Sequence, residues 1–390
     1  MVRGFWSFVI VLPGLVAAAL LPRQAWAEPG VSDSVITFGQ AAALEGPAAA
    51  LGTGMQLGLM AAFAEANKAG GVKGRKLELK SYNDGYEPQL SIQQVKKLID
   101  EDQVFALIGP VGTPTSAATQ PIATDARVPF IGPFTGAGFL RNAKLGNVVN
   151  VRATYDAETE QWIKYLVDER KMDRIAILYQ DDGFGRVGLS GVTKALDKRG
   201  LKLVAEGTYE RNTVAVKTAL IEIRKTKPQA VVMVGAYKPI AQFIKVARSI
   251  DFNPAFVNIS FVGSAALSKE LGKDGDGVII SQVVPFPWDD SVPLVKQYQA
   301  ALKAQDAKAE PDFVSLEGYM VGRLTIMALE KMTGEITRDN LLKTIWSTGS
   351  FDLGGVTLTY AADDNQGMDD VFMTVIQKDG SFRPAEKAAM

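Results

Sequence analysis

Residues 230–235 are Ala-Val-Val-Met-Val-Gly, an uninterrupted apolar run that ends at a glycine. A short run without polar alternation is typical of a strand that is buried on both faces, as strands are in a parallel sheet. Apolar residues at helical spacing follow at 240–250, and a second apolar strand is predicted at 255–259. This succession of strand, helix and strand predicts a βαβ unit.

The same alternation extends over two blocks of similar architecture. We predict strands at 35–43, 76–83, 105–109, 128–132 and 148–152 in the first block, and at 174–179, 202–209, 230–235, 255–259 and 277–283 in the second. The C-terminal part adds helices at 294–305, 314–332 and 340–348 and strands at 356–360 and 371–377. These patterns predict an α/β fold built from doubly wound units.

The composition excludes several classes of function. The chain has 390 residues, 47% of them hydrophobic, which suits a globular protein of about two domains. Its 42 Lys and Arg residues balance 43 Asp and Glu residues, which argues against a nucleic-acid-binding face. It has no His and no Cys, which excludes Ser-His-Asp and Cys-His catalysis and the usual zinc sites. Enzymes that use only carboxylates or Lys are left open.

The N-terminal residues 1–27 have the pattern of a cleavable signal peptide. Arg3 provides a positive charge, residues 5–21 are mainly apolar, and Ala25 and Ala27 are the small residues before the cleavage point. The alternative is an uncleaved membrane anchor, which the shortness of the apolar run disfavours. Because the chain has no Cys for lipid attachment, we expect an exported protein that diffuses freely.

Short motifs follow one another along the chain in an order that matches a known family. They are Glu45-Gly46-Pro47, Gly70-Gly71-Val72, Tyr82-Asn83-Asp84, Ile108-Gly109-Pro110, Val128-Pro129-Phe130-Ile131, Asp182-Gly183-Phe184-Gly185 and Gly235-Ala236-Tyr237. On these motifs, the chain from residue 35 to about residue 384 resembles the leucine/isoleucine/valine-binding family of periplasmic binding proteins, which serve branched-chain amino acid ABC transporters. The resemblance implies the type I fold: two Rossmann-like lobes with parallel-rich sheets, joined by three crossings, with the ligand in the cleft between them.

The resemblance also implies how the chain divides between the lobes. We expect the N-terminal lobe to comprise residues 28–152 and 285–355, and the C-terminal lobe to comprise residues 153–284 and 356–390. The crossings are expected near residues 152–154, 283–287 and 354–357. We expect an open form without ligand and a closed form with it, because a ligand that contacts both lobes shifts the population toward closure. A monomer is the form that the family implies.

Ligand-contacting positions follow from the same resemblance. They are Thr113, against the ligand carboxylate; Phe134, Thr135 and Gly136, in a loop with backbone and hydroxyl contacts; Phe184, an aromatic that closes on the ligand; Tyr237, at a strand end; and Ser260. Thr113 also opens a predicted helix after a strand, where free N–H groups suit an anion. Ordinary capping of that helix by its hydroxyls is the alternative.

Two positions depart from the family pattern. Ser260 stands where the family has the acid that pairs with the ammonium group of an amino acid, and Leu51 stands where the first lobe usually offers an aromatic residue. An unpaired ammonium group in a closed cleft is costly. Either another acid replaces the missing one, with Glu45 and Asp156 as candidates, or the ligand is not an α-amino acid.

The function that we predict is extracytoplasmic solute binding for an ABC importer, without catalysis. The ligand is expected to be a small amino acid or a related carboxylate, which the protein delivers to membrane permease subunits. The alternative is a ligand-sensing regulator of the same fold. A hydrolase is disfavoured because the chain also lacks a G-x-S-x-G nucleophile motif.

Two further motifs are set aside, and we expect no cofactor and no metal. The stretch 183–188 matches G-x-G-x-x-G, but Asp181 and Asp182 precede it and would repel a pyrophosphate. Residues 363–370 carry several acids but lack the Glu that completes a calcium loop, since Thr374 stands at that position. We predict a polar turn there instead.

Overall fold

The computed structural model describes residues 1–2, 4–6 and 28–385. The cleavable signal peptide predicted for residues 1–27 therefore lies mostly outside the described residues and stays a prediction. Among the helices that the structure describes, none is both long and apolar enough to cross a membrane.

The first sheet has five strands and is parallel throughout. Its strands are β1 (Val35–Ala42), β2 (Lys76–Asn83), β3 (Ala106–Ile108), β4 (Phe130–Ile131) and β5 (Val148–Val149), in the order β2-β1-β3-β4-β5. The central strands β3 and β4 are entirely buried, as expected for a sheet that helices cover on both faces. This sheet and its helices are called the first lobe below.

The second sheet has seven strands and repeats the same topology. Its strands are β6 (Ile175–Gln180), β7 (Ala205–Tyr209), β8 (Ala230–Val234), β9 (Ala255–Asn258), β10 (Ile279–Gln282), β13 (Phe372–Ile376) and β14 (Phe382–Pro384), in the order β14-β13-β10-β9-β8-β6-β7. The first five are parallel, whereas β13 and β14 are antiparallel additions at one edge. This sheet and its helices form the second lobe.

Helices cover both sheets. Before β10 they are α1 (Ala49–Lys68), α2 (Pro88–Lys96), α3 (Thr113–Asp125), α4 (Tyr155–Ile163), α5 (Gly183–Asp197), α6 (Lys217–Lys225), α7 (Tyr237–Ser249) and α8 (Ser264–Leu271). The helices after β10 are α9 (Pro293–Gln305), α10 (Phe313–Lys331) and α11 (Arg338–Thr348). Both α9 and α10 pack against α1, so the chain returns to the first lobe after β10. The predicted α/β fold with two parallel-rich lobes is confirmed.

In the described part of the chain, three crossings connect the lobes: β5 to α4, β10 to α9, and a last one before β13. A small hairpin of β11 (Ser350–Asp352) and β12 (Thr357–Thr359) precedes the last crossing. Tyr360 packs against Trp346 of α11, so the chain leaves the first lobe after Tyr360 rather than near 354–357. The lobe boundaries predicted from the sequence stay a prediction, and the pairing of β12 with β11 favours a later last boundary.

Glycines allow α1 and α10 to approach each other at backbone distance. A Cβ atom on Gly58 of α1 would lie 1.9 Å from the carbonyl oxygen of Ser315. On the other side of the contact, a Cβ atom on Gly318 would lie 2.3 Å from the carbonyl oxygen of Met55. These atoms are backbone atoms, so no side-chain rotation relieves the overlap. The docking of α10 onto the first lobe therefore depends on small residues.

We expect Gly58→Ala to lower the free energy of unfolding by about 1–3 kcal/mol, because the added methyl group forces the two helices apart. Urea unfolding followed by circular dichroism measures the change. Gly183→Ala is the control, since Gly183 is also helical but a Cβ atom added there would have no neighbouring atom within 4 Å. Equal effects of the two substitutions would show that the helix contact does not require Gly58.

Candidate ligand site between the two lobes

The site lies where the carboxyl ends of the two parallel sheets face each other. In both sheets the connections between strands change direction at one point, between β1 and β3 in the first and between β6 and β8 in the second. Ligands of open α/β sheets bind at the point where the direction changes. Across the gap, Gln180 at the end of β6 donates a hydrogen bond of 3.2 Å from Nε2 to the hydroxyl oxygen of Tyr86. The backbone N–H of Ala50 donates to the Tyr237 hydroxyl oxygen at 3.4 Å.

An aromatic cluster fills the middle of this interface. The Phe261 ring, from a short turn of the second lobe, is 5.8 Å from Tyr86 and 5.3 Å from Phe134 of the first lobe, between ring centroids. It is also 4.7 Å from Phe184, whose ring is in turn 5.5 Å from Tyr155. All five side chains are buried. Phe261 therefore contacts aromatic rings of both lobes at once.

The seven predicted contact residues lie in this cluster or next to it. The Thr113 hydroxyl, at the start of α3, is 2.7 Å from the Thr135 hydroxyl. The carbonyl of Gly136 accepts a hydrogen bond from the Tyr155 N–H at 2.8 Å. Phe134 and Phe184 contact Phe261 as described above, Tyr237 contacts the start of α1, and Ser260 directly precedes Phe261. Their part in ligand binding stays a prediction.

Leu51 also lies at this interface, as the resemblance implied. Its side chain is buried and faces Gly263, where an added Cβ would lie 2.6 Å from the Leu51 Cδ2 atom and 3.8 Å from the Tyr237 ring. Gly263 has a φ of 79°, which favours glycine as well. The first lobe thus reaches the second through an aliphatic side chain at this point.

A buried ionic cluster lies beside the aromatic rings. Ser260 donates from its N–H and its hydroxyl to the two carboxylate oxygens of Glu158, each at 2.9 Å. Glu158 also accepts from the Ser281 hydroxyl at 2.5 Å. Arg152 donates from Nη2 to the Ser260 hydroxyl oxygen. The nearest Arg152 nitrogens are 3.8 Å from Glu158 Oε1 and 3.6 Å from Glu317 Oε1.

Burial sets the protonation of this cluster. Burial raises the pKa of Glu317 to about 7, with Arg152 acting in the opposite direction. Burial likewise lowers the pKa of Arg141 to about 9, and the positive charge of Arg152 adds to this effect. Burial also opposes the charge on Arg152, but the carboxylates of Glu317 and Glu158 outweigh it and raise the pKa of Arg152. Glu317 is therefore the member of the cluster that changes charge near neutral pH.

Neither acid proposed as a replacement for the missing one is at the site. Glu45 is exposed, and its N–H donates to the Asn83 side chain. Asp156 is half exposed and forms an ion pair of 2.9 Å with Lys194. The hypothesis about these two acids was wrong, because both side chains point to solvent.

The acids that the structure places beside Ser260 and Arg152 are Glu158 and Glu317, which sequence reasoning missed. Glu317 interrupts the otherwise apolar stretch at the start of α10, and a lone acid in such a stretch was the available signal. Glu158 shares the buried face of α4 with Tyr155, Thr159 and Trp162.

The glycines at 183–188 serve packing rather than phosphate binding. The Asp182 side chain accepts the Phe184 N–H at 2.9 Å and so caps the start of α5. A Cβ on Gly185 would lie 1.9 Å from the carbonyl oxygen of Gln180, and one on Gly188 would lie 2.5 Å from Val234. The helix start that a phosphate would need is therefore already occupied by a carboxylate.

The acidic stretch 363–370 forms a turn whose hydrogen bonds hold the last crossing against the first lobe. Asn365 is buried and donates to the carbonyl oxygens of Leu140 and Val148 at 2.9 and 3.2 Å. Asp364 accepts from the Gln366 N–H at 2.9 Å. Across residues 28–385, no three acidic side chains converge as ligands for a metal ion.

The lobes are closed on each other in this structure. Arg211 of the second lobe forms an ion pair of 2.9 Å with Glu87 of the first, and Asn212 donates to the Gly85 carbonyl and the Glu87 carboxylate at 3.0 and 2.7 Å. The cavity beside Phe134, Ser260 and Glu317 has a volume of only about 10 Å³. A ligand of several atoms therefore requires the lobes to separate or Phe261 to move.

Comparisons with known proteins agree with this architecture. A family model described as periplasmic binding protein matches residues 35–381. The Leu/Ile/Val-binding protein of Escherichia coli K12 is 23% identical over 275 residues, which cover 70% of this chain and 73% of that protein. The Leu/Ile/Val-binding protein homolog 7 of Brucella abortus is 23% identical over 334 residues, 82% of each chain. A crystal structure of a possible leucine/isoleucine/valine-binding protein from Rhodopirellula baltica has a TM-score of 0.87 and 37% identity, covering 92% of this chain and 98% of that one.

We expect Glu317→Gln to raise the stability of the protein at pH 8 and to change it little at pH 5. Glu317 has a pKa of about 7 when folded, above the ordinary 4.5, so the folded protein holds this proton more tightly. Its contribution to stability therefore falls as the pH rises from about 4.5 through 7, by up to about 3 kcal/mol. Thermal unfolding of both proteins across this pH range measures the difference.

The matched control is Glu330→Gln, because Glu330 lies on the same helix but is exposed. This variant should follow the wild-type pH profile. A lower stability of Glu317→Gln at pH 8 would contradict the interpretation, since it would mean that the ion pair with Arg152 outweighs the cost of burying the carboxylate.

Proposed function

The chain belongs to the periplasmic binding protein family, and we propose that it is the extracytoplasmic solute-binding component of an ABC importer. The observation that carries this proposal is the shared interface at the carboxyl ends of both sheets. There, side chains of the two lobes are buried against one another around Phe261. A solute held at this position would contact both lobes at once and would stabilise the closed form.

We propose that the ligand is a small amino acid or a related carboxylate. Relatives named as Leu/Ile/Val-binding proteins support this class. The aromatic rings would surround an apolar group, and the Thr113 hydroxyl at the start of α3 would donate to a carboxylate, as the N-terminal N–H groups of the helix would. In the closed structure, the same hydroxyl is engaged by Thr135.

Delivery to membrane permease subunits, a periplasmic location and a monomeric state belong to the same proposal. The named relatives are binding proteins, and we propose no catalytic step. The second candidate is a ligand-sensing regulator of the same fold, in which the closed rim of the lobes would contact a regulatory protein instead. Ligand-dependent stimulation of ATPase activity in vesicles that contain the permease would distinguish the importer from the sensor.

We expect a true ligand to raise the melting temperature of residues 28–390 and to make the protein more compact. The first effect follows from binding to the folded state alone, and it amounts to about 2.7 kcal/mol at a ligand concentration of 100 Kd. Thermal shift against amino acids, aliphatic acids and aromatic acids identifies the ligand, and small-angle X-ray scattering with and without it measures closure. Identical scattering profiles with a tightly bound ligand would contradict closure by the ligand.

We expect Thr113→Ala to weaken ligand binding by about 10- to 100-fold, because a hydrogen bond to a charged group is lost. Isothermal titration calorimetry measures the affinity. The matched control is Thr119→Ala, which removes a buried hydroxyl further along α3 that donates only to the Thr115 carbonyl at 2.9 Å. If both variants bind as the wild type does, Thr113 does not contact the ligand.

A further inference from the structure

Arg152 has donors without acceptors at the centre of the molecule. The residue is fully buried, yet its Nε and Nη1 atoms have no hydrogen-bond partner among the described residues. Glu317 Oε1 is 3.6 Å from Nε, beyond hydrogen-bond distance. Since an unsatisfied buried donor of a charged group is costly, an acceptor that reaches Nη1 would bind favourably.

The acid nearest to the expected ammonium position already accepts three hydrogen bonds. Glu158 accepts two hydrogen bonds from Ser260 and one from Ser281. The Ser260 side chain stands between this carboxylate and the Arg152 guanidinium, since its hydroxyl donates to the first and accepts from the second. The Ser260 hydroxyl and Glu158 therefore offer little to an ammonium group.

The walls around Arg152 suit an apolar group. The guanidinium carbon is 4.7 Å from the centre of the Phe134 ring and 5.9 Å from that of Tyr155. Phe184 and Phe261 continue this aromatic surface. A planar cation beside aromatic rings can bind a carboxylate while the apolar substituent of that carboxylate packs against the rings.

From this geometry we infer that the ligand is an apolar monocarboxylate without an α-ammonium group, and that Arg152 donates to its carboxylate from Nη1. The inference rests on the proposed function, because it names the ligand class of the same cleft. Ser260 at the family's acid position left two alternatives open, and a ligand that is not an α-amino acid is the one that we infer.

Charge balance in the cluster agrees with this ligand class. Around Glu317 the charged groups are Arg152, Glu158 and Arg141, and Glu317 itself is partly protonated near pH 7. A bound carboxylate next to Arg152 would favour the protonated form of Glu317. The positive charges of Arg152 and Arg141 would then balance the negative charges of Glu158 and the ligand. An amino acid would instead require Glu317 to be ionised, at the cost of burying that charge.

The experiment uses ligand pairs that differ only in the ammonium group. We would titrate residues 28–390 by calorimetry with 4-methylpentanoate and leucine, and with 3-phenylpropanoate and phenylalanine, at pH 7. The expected result is binding of at least one deaminated acid, at least about tenfold tighter than its amino acid. Tighter binding of either amino acid would overturn the inference and leave the proposed function standing. If none of the four ligands binds, the inference is overturned. If, in addition, no solute closes the lobes, the result also counts against the proposed function.

A pH series gives a second test that needs no variant. A carboxylate ligand takes up a proton at Glu317 on binding, so its affinity should fall by up to about tenfold between pH 6 and pH 8. An ammonium ligand would show the opposite sign. In Glu317→Gln the pH dependence of carboxylate binding should disappear, and a dependence that persists there would contradict the charge balance described above.

Substitution of Arg152 tests the contact itself. Arg152→Gln removes the charge opposite two buried acids and is liable to unfold, so Arg152→Lys is the informative variant because it keeps the charge and loses the planar guanidinium with its fixed N–H groups. We expect Arg152→Lys to fold, as judged by circular dichroism, and to bind the carboxylate about 10- to 100-fold more weakly. Wild-type affinity in this variant would show that Arg152 only balances Glu158 and Glu317.

Discussion

A guanidinium held away from water at the junction of the two lobes is the constraint on which the rest of the structure depends. Arg152 lies in the first crossing, and its neighbours come from α4, from the turn at Ser260 and from α10. An ion in the interior costs several kcal/mol unless it is paired, and Glu158 and Glu317 supply the opposite charge. Because the two acids belong to different lobes, the ionic cluster is complete only when the lobes are closed.

This dependence connects the ionic cluster to lobe motion. Arg152 is part of a crossing, whereas Ser260 belongs to the second lobe and Glu317 to the first. Separation of the lobes, as we propose for ligand entry, would therefore remove at least one partner from the guanidinium and expose its N–H groups to solvent. In the closed structure, Nε and Nη1 have no acceptor among the described residues. A ligand that supplies acceptors removes this cost, which is a physical reason for closure to follow binding.

The sequence predicted the fold better than the site, for a reason visible in particular residues. Strands such as Ala230–Val234 are buried on both faces, so their apolar runs and the helices between them are local signals. The short edge strands Ser350–Asp352 and Phe382–Pro384 were missed because they have few residues and partly exposed side chains. The site residues Thr113, Phe134 and Phe184 came from a family resemblance. Glu158 was missed because its hydrogen bond to Ser260 joins residues 102 apart in sequence, and no local pattern encodes such a contact.

The position of Glu158 explains how one scaffold can change the charge that it accepts. In the family pattern, an acid stands at the residue occupied here by Ser260, directly in the cleft. In this chain a carboxylate is still present behind that position, but Ser260 covers it with two hydrogen bonds and presents its hydroxyl oxygen to Arg152. The acid thus stabilises the arginine rather than a ligand. With the ligand that we propose, this arrangement would let the cleft accept an anion where the family pattern accepts an ammonium group, without altering the sheets that form the cleft.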